Sequence, residues 1–324
     1  MRECTRSVAT PCLCLSKALC ATRHVFAAHT KLAWLATALG RPPAEASRYA
    51  ATAAQLRQGL LENLLLAKEA CNPPVGPCFA DGQNVTHSSV QATMYVLGSG
   101  VLTPEEAVPF LPFLMARSTP FPRCSAALSH FLFEALYTIA EGQASPEAAD
   151  FAFELLVRDG HRSWREMLNQ GATMTLEHWY GVNFQKHTWA HPWAAGPAAI
   201  IVRRIYGIRP LDIGYRVVAV HPQPPQNLTH GAITVPSLRG KVAMSWEMLP
   251  GKRFAMKLSV PGNTKADVCL PAGLLPPRCG LTVNGAAAPT SRPHAGQLCL
   301  AERLGGGEWQ VATTEGALQS PGSE

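Results

Sequence analysis

The sequence predicts a multidomain chain, α first and then β: a helical domain followed by an antiparallel β-sandwich. Three observations carry this. From His29 to Tyr206, apolar residues recur at spacings of three and four, the period of a helix face. After Tyr206 the pattern changes to short runs of alternating apolar and polar residues, separated by Pro and Gly. The chain has 324 residues, more than one average domain, and 47% hydrophobic against 15% charged residues supplies a sizeable core.

Residues 1–28 show cysteines but no clear period and read as an irregular segment. Leu32, Leu35 and Leu39 then mark one helix, and Tyr49, Ala53, Leu56, Leu60 and Leu64 mark a second. Arg41-Pro42-Pro43 separates them, with Pro43 or Ala44 placed for a first helical turn. Asn72-Pro73-Pro74-Val75-Gly76-Pro77 excludes helix and leads through Phe79-Ala80-Asp81-Gly82 to a helix near Ser88. Thr103-Pro104-Glu105-Glu106 is a helix start, with a Thr cap, Pro in the first turn and acids facing the positive end of the helix dipole. A strongly apolar helix is predicted from Ser125 to Glu141, and Ser145-Pro146-Glu147 opens the next. Helices of this length joined by irregular loops indicate a helical barrel or a bundle of paired helices.

Strands are predicted over Arg216 to Val220, Ala232 to Leu238, Lys241 to Met248, Arg253 to Val260 and Ala266 to Leu270. Leu281-Thr282-Val283-Asn284-Gly285 reads as a strand entering a hairpin turn. Residues 315–324 are Gly/Ser-rich and are expected to be disordered. No internal repeat is visible.

The net charge of +6 is mild and the basic residues are scattered, which argues against a nucleic-acid partner. No run approaches the length of a membrane-spanning helix, so no membrane partner is expected. The apolar stretch Ser7 to Ala28 is interrupted by Lys17 and Arg23 and makes a poor secretory signal, leaving the compartment open. The sequons Asn84-Val85-Thr86 and Asn227-Leu228-Thr229 matter only in the secretory pathway. None of the ten cysteines forms paired CxxC motifs, so no metal is expected. Cys71/Cys78 and Cys269/Cys279 are spaced to close short loops in an oxidising compartment, and read equally well as free thiols.

The densest concentration of chemistry lies between Gly171 and Trp193. Gly171-Ala172-Thr173-Met174-Thr175-Leu176-Glu177-His178-Trp179 is followed by Trp189-Ala190-His191-Pro192-Trp193. One carboxylate, Glu177, has imidazoles and indoles around it. A carboxylate in apolar surroundings is a candidate for acid/base chemistry. Flat indole faces beside it suit a pyranose, whose C–H face stacks while its hydroxyl edge bonds carboxylate and imidazole. The plainer reading is a turn between helices with core tryptophans, and for Trp164 and Trp193 core packing is the expected role. His178, His187 and His191 have no matching acid at metal-ligand spacing.

These residues resemble the α-L-rhamnosidases of glycoside hydrolase family 78, over roughly His29 to Val311. The family has a Gly-small-Thr-x-x-x-Glu-x-Trp segment, then a Trp-x-His-x-Trp segment leading into a long helix. Asp81-Gly82 with Thr86-His87-Ser88, Cys124-Ser125, Phe133-Glu134-Ala135-Leu136-Tyr137, Gly207-Ile208-Arg209-Pro210-Leu211 and Ser259-Val260-Pro261-Gly262-Asn263-Thr264 occur in the same order. The resemblance implies an (α/α)6 helical barrel followed by a β-sandwich. Residues 29–210 then form the C-terminal portion of the barrel and 211–314 the sandwich. It further implies hydrolysis of terminal α-L-rhamnosyl groups of a glycan or glycoside, with inversion and without a cofactor. Glu177 would be the general base, His191 would bond a sugar hydroxyl, and Trp179, Trp189 and Trp193 would shape or line the pocket. A secreted, vacuolar or lysosomal location would suit the family.

In the family the general acid, a second Glu, lies in the first half of the barrel. Residues 1–28 carry nothing like that region, and Glu3 is their only acid. The expectation is therefore a partial barrel lacking its acid, with an open edge at Leu32, Leu35 and Leu39 that promotes self-association. An inactive fragment or pseudoenzyme that only binds carbohydrate, and another (α/α)6 glycosidase, are the alternatives.

Overall fold

The computed structural model describes residues 17–179, 188–276 and 278–314, and side chains from His24 onward. The tail 315–324, the segment 180–187 with His187, and residues 1–16 lie outside the described residues. The chain forms two compact units, one of residues 1–138 and 154–196, the other of 139–153 and 197–324.

The first unit is helical. Helix α1 spans Lys17–Ala38, so part of the segment expected to be irregular is helix. The stretch from Lys17 to Ala28 contains no Pro or Gly, and its alanines hold a helix without needing a strong apolar period. Phe26 on this stretch is buried, whereas Leu32, Trp34, Leu35 and Leu39 are exposed. The helix ends in a Schellman turn: Arg41 N–H donates to Ala36 O at 2.9 Å and Gly40 N–H to Thr37 O at 3.1 Å. Gly40 sits at φ +63°, where a side chain would be strained. Helix α2, Pro43–Leu64, starts on Pro43 as expected.

A two-stranded ladder follows, β1 (Leu65–Leu66) against β2 (Cys78–Phe79), stapled by the Cys71–Cys78 disulfide. Helix α3, Val90–Gly98, is capped by Ser89, whose side chain accepts from Ala92 N–H. The Thr103–Glu106 capping box forms and opens α4, Pro104–Ala107. Glu106 also binds Arg57 through both carboxylate oxygens, at 2.6 and 2.7 Å. Helix α5 covers Leu111–Ser118. Helix α6, Ser129–Gly142, begins four residues later than expected because the Ser125 hydroxyl accepts from Leu128 N–H and closes a turn instead. Helix α7 spans Glu147–Val157, its first seven residues belonging to the second unit. The short α8, Trp164–Asn169, was not expected, although Ser163 followed by Glu166 is a start signal.

In the second unit, helix α9 (Gly196–Ile200) continues into a π-helical turn, Ile201–Ile205. Eleven strands then build two sheets: β3 Ile208–Pro210, β4 Val217–Val220, β5 His230–Ser237, β6 Gly240–Leu249, β7 Arg253–Val260, β8 Lys265–Pro271, β9 Leu281–Val283, β10 Ala286–Ala288, β11 Thr290–Ser291, β12 Gln297–Leu300 and β13 Gly307–Thr313. One sheet has the order β10-β9-β13-β7-β6-β5, the other β11-β12-β8-β4-β3. Each expected strand is present, and the Leu281 hairpin forms.

The antiparallel expectation needs one correction: β4 and β8 pair in parallel. The β5–β7 meander lies between them in the chain but in the other sheet, and this excursion brings β8 back in the direction of β4. Alternation puts Val242, Met244 and Trp246 of β6 into a core with Phe254, Met256 and Leu258 of β7 and Val218, Val220, Val268 and Leu298 of the second sheet. The second disulfide also differs from the sequence reading. Cys269 bonds Cys299, not Cys279, because β8 and β12 pair with these two residues directly opposite, their Cα atoms 3.9 Å apart. Cys279 is a buried thiol.

Gly207 shows why one resembling segment begins with glycine. Its φ is +70°, and an added Cβ would stand 2.0 Å from the His221 carbonyl, so the close entry into β3 needs a bare backbone.

Candidate active site

The segment from Gly171 to Ala195 starts with another tight helix exit. Gly171, at φ +83°, lets the chain turn off α8, and Ala172 N–H donates back to Met167 O at 3.1 Å. Beneath the segment lies a small apolar cluster of Ala126, Met167, Ala172, Leu176, Trp179 and Ala194, with Trp164 against it. Leu176 and Trp179 anchor the segment in this cluster and leave Glu177 between them half-buried.

Two legs of the segment are zipped together by backbone bonds. Glu177 N–H donates to Thr188 O at 3.1 Å and His191 N–H donates to Thr175 O at 2.8 Å. The Thr175 hydroxyl returns a bond to His191 O at 2.7 Å. The Trp193 indole N–H donates to Glu177 O at 3.0 Å. The main chain of Glu177 is thus held on both sides, which fixes where its carboxylate can reach.

The Glu177 carboxylate has specific neighbours. Its Oε2 accepts from Thr188 N–H at 2.9 Å, and the Thr188 hydroxyl lies 3.4 Å from the same oxygen. That hydroxyl is also 2.7 Å from His191 Nδ1. His178 Nε2 stands 3.8 Å from Glu177 Oε1. The His191 and Trp193 rings are 4.1 Å apart at their centroids. Trp189 and Trp193 are 46% and 48% exposed, so both indoles meet solvent, and Trp193 is not the core residue that was expected.

Trp179 is placed differently. It is 4% exposed, its N–H donates to Cys124 O at 2.8 Å, and its ring meets Trp164 edge-on at 4.9 Å. It supports the Glu177 segment from below rather than offering a face to a ligand. Trp164 in turn donates to Ala194 O at 2.9 Å. Burial pushes the Cys124 thiol up to about 12, so it is an inert packing group.

Two further clusters have chemistry that spacing only partly disclosed. Asp81 is 3% exposed and accepts at Oδ1 from Ser89 N–H at 3.1 Å and from the Ser89 hydroxyl at 2.5 Å, while Oδ2 bonds His87 Nδ1. Ser89 is the cap of α3, so one carboxylate holds both the helix cap and His87. The carboxylate orients the exposed imidazole, an arrangement that only the loop closure Asp81 N–H to His87 O reveals.

In the sheet unit, His221, Asp267 and Cys269 have ligand atoms within 4.8 Å of one another. They do not suit a cation. Cys269 is in a disulfide, and Arg303 lies 3.4 Å from Asp267 Oδ1 and Arg209 3.5 Å from His221 Nδ1. The group is an ion-pair network, with His221 Nε2 2.9 Å from Asp267 Oδ2. The hydrogen bond from His221 holds the Asp267 carboxyl below the usual carboxylate range. A depressed carboxyl stabilises the fold above its unfolded value of about 3.9, and the contribution is lost as pH falls through the lower folded value. Thermal melts from pH 6 down to pH 3 should therefore show the advantage of the parent over Asp267→Asn shrinking on the acid side. A pH-independent difference would remove the ion pair as its cause.

Comparison with known proteins matches this architecture piece by piece. Residues 15–205 match the family model described as the bacterial alpha-L-rhamnosidase 6 hairpin glycosidase domain, and residues 207–275 match the bacterial alpha-L-rhamnosidase C-terminal domain. An alpha-L-rhamnosidase of Formosa agariphila is 33% identical over 129 residues, covering 38% of this chain and 14% of that protein. One of Streptomyces avermitilis is 32% identical over 130 residues, covering 38% and 12%. Among solved structures, the alpha-L-rhamnosidase of Dictyoglumus thermophilum superposes with a TM-score of 0.72 at 17% identity, over 90% of this chain and 31% of that one. The Streptomyces avermitilis alpha-L-rhamnosidase complexed with L-rhamnose gives 0.69 at 21% identity, over 92% and 27%. At these identities the superpositions establish the fold. The chain spans less than a third of the length of these solved relatives.

Proposed function

The chain belongs to the family of bacterial alpha-L-rhamnosidases with a six-hairpin glycosidase domain, and on that premise we propose that it serves the hydrolysis of terminal α-L-rhamnosyl groups with inversion, Glu177 acting as general base. The observation that carries this reading is the clamped Glu177 carboxylate, bonded to Thr188, whose hydroxyl also reaches His191, on a segment that exposes Trp189 and Trp193. Glu177 would take a proton from a water on the sugar face opposite the leaving group, and the water would attack the anomeric carbon. His191 would bond a sugar hydroxyl, and Trp189 and Trp193 would offer apolar faces to the ring. Inversion requires a second carboxyl about 6.5–9.5 Å from the first to protonate the leaving oxygen. The proposal assigns that role to no residue of this chain.

A chromogenic aryl α-L-rhamnoside, offered beside a panel of other aryl glycosides, tests the substrate class. In an intact enzyme that contains this chain, release confined to the rhamnoside, with the β-anomer formed first by proton NMR, is the expected result. Release from a different glycoside alone would move the chain to another (α/α)6 activity. The exposed indoles and His191 also suit a second reading, sugar binding without turnover, which L-rhamnose binding with no aryl release would identify. The exposed Leu32, Leu35 and Leu39 of α1 support the accompanying proposal of self-association, read by light scattering on the same sample.

A further inference from the structure

We infer that Thr188 is a positioning residue that couples Glu177 to His191 and fixes which nitrogen of His191 meets the sugar; this rests on the roles proposed above for Glu177 and His191. The Thr188 hydroxyl lies between the two side chains, 3.4 Å from Glu177 Oε2 and 2.7 Å from His191 Nδ1. A hydroxyl has one proton to donate and lone pairs to accept with. If it donates to Nδ1, its lone pairs face the carboxylate, an unfavourable approach of like charge. If it donates to Glu177 Oε2, its lone pair accepts from Nδ1–H, and every proton in the chain points toward the negative charge. The Thr188 backbone N–H, 2.9 Å from the same Oε2, already marks that oxygen as an acceptor.

The second arrangement places the proton of neutral His191 on Nδ1. Nε2 is then a lone pair and reads a sugar hydroxyl as a donor. Backbone and hydroxyl bonds from Thr175 hold His191 in place, so the ring presents that nitrogen in a fixed direction. Thr188 itself is exposed, with no part in the apolar cluster beneath the segment. Its hydroxyl can be removed without opening the core.

The test is nitrogen NMR of the full chain labelled at histidine, with the His191 signals assigned from His191→Gln. In the parent, His191 should show the Nδ1–H form. Thr188→Val, which keeps the shape and deletes the hydroxyl, should return the ring toward the Nε2–H form that a free histidine side chain favours, and Thr188→Ser should restore the parent spectrum. Titration with L-rhamnose should show affinity lower by roughly fivefold in Thr188→Val and unchanged in Thr188→Ser, the loss of one hydrogen bond. Equal melting of the three proteins confirms that the fold is intact. Identical His191 spectra in parent and Thr188→Val overturn the inference, whatever the sugar does. A Thr188-dependent spectrum in a protein that ignores L-rhamnose supports the coupling and overturns the sugar assignment instead, so the two failures are separable.

Discussion

In an intact enzyme that contains this chain, Glu177→Gln is expected to lower rhamnoside turnover by about 10³-fold, within the range that a positioned general base contributes, while the protein melts as before. The amide is the same size as the carboxylate, and its oxygen still accepts from Thr188 N–H. The backbone bonds to Thr188 and from Trp193 involve only the main chain of residue 177 and survive the change. What is lost is the ability to take a proton from water. If that is the role, KM should move little while kcat falls, because the deleted function belongs to the transition state. Azide should restore part of the rate, since an anionic nucleophile needs no deprotonation, and the product should be the rhamnosyl azide of inverted configuration. Turnover within a few-fold of the parent would take Glu177 out of the mechanism.

Much of this arrangement was legible in the sequence, for definable reasons. Helix starts such as Thr103-Pro104-Glu105-Glu106 were readable because capping is a local exchange between residues three apart. Strands β5 to β7 were readable because each exposes one face and alternates. Strand β12, Gln297–Leu300, is buried throughout and has no alternation to detect. The partner of Cys269 was misread for a related reason. Its bond to Cys299 depends on the register between two strands, which sequence separation does not encode. At the candidate site the residue types of Glu177 and His191 stood out, but the link between them did not. Thr188 is an ordinary exposed threonine until the two legs of the segment are zipped and its hydroxyl falls between them. Trp179 and Trp193 show the limit of spacing most plainly. Each lies two residues from Glu177 or His191 in sequence, yet one is buried and the other half-exposed.

That difference sets the second large effect. Trp179→Ala should cost about 3–5 kcal/mol of stability, the usual range for emptying a buried aromatic site. The indole fills the cluster beneath the segment, meets Trp164 at 4.9 Å, and satisfies the Cys124 carbonyl at 2.8 Å. Trp179→Phe separates the contributions. It keeps most of the packing and leaves the Cys124 carbonyl without its donor, at a cost of about 1–3 kcal/mol. Trp193→Ala, at a half-exposed indole, should shift melting far less and should instead weaken L-rhamnose binding. Because Trp179 supports Glu177 from below, the Ala variant should also lose turnover, through a displaced carboxylate rather than a missing sugar contact. Thermal unfolding and L-rhamnose titration of the three variants read these expectations together. A Trp179→Ala protein that melts with the parent but fails to bind sugar would make Trp179 a ligand-facing residue, and the supporting role assigned to it here would be wrong.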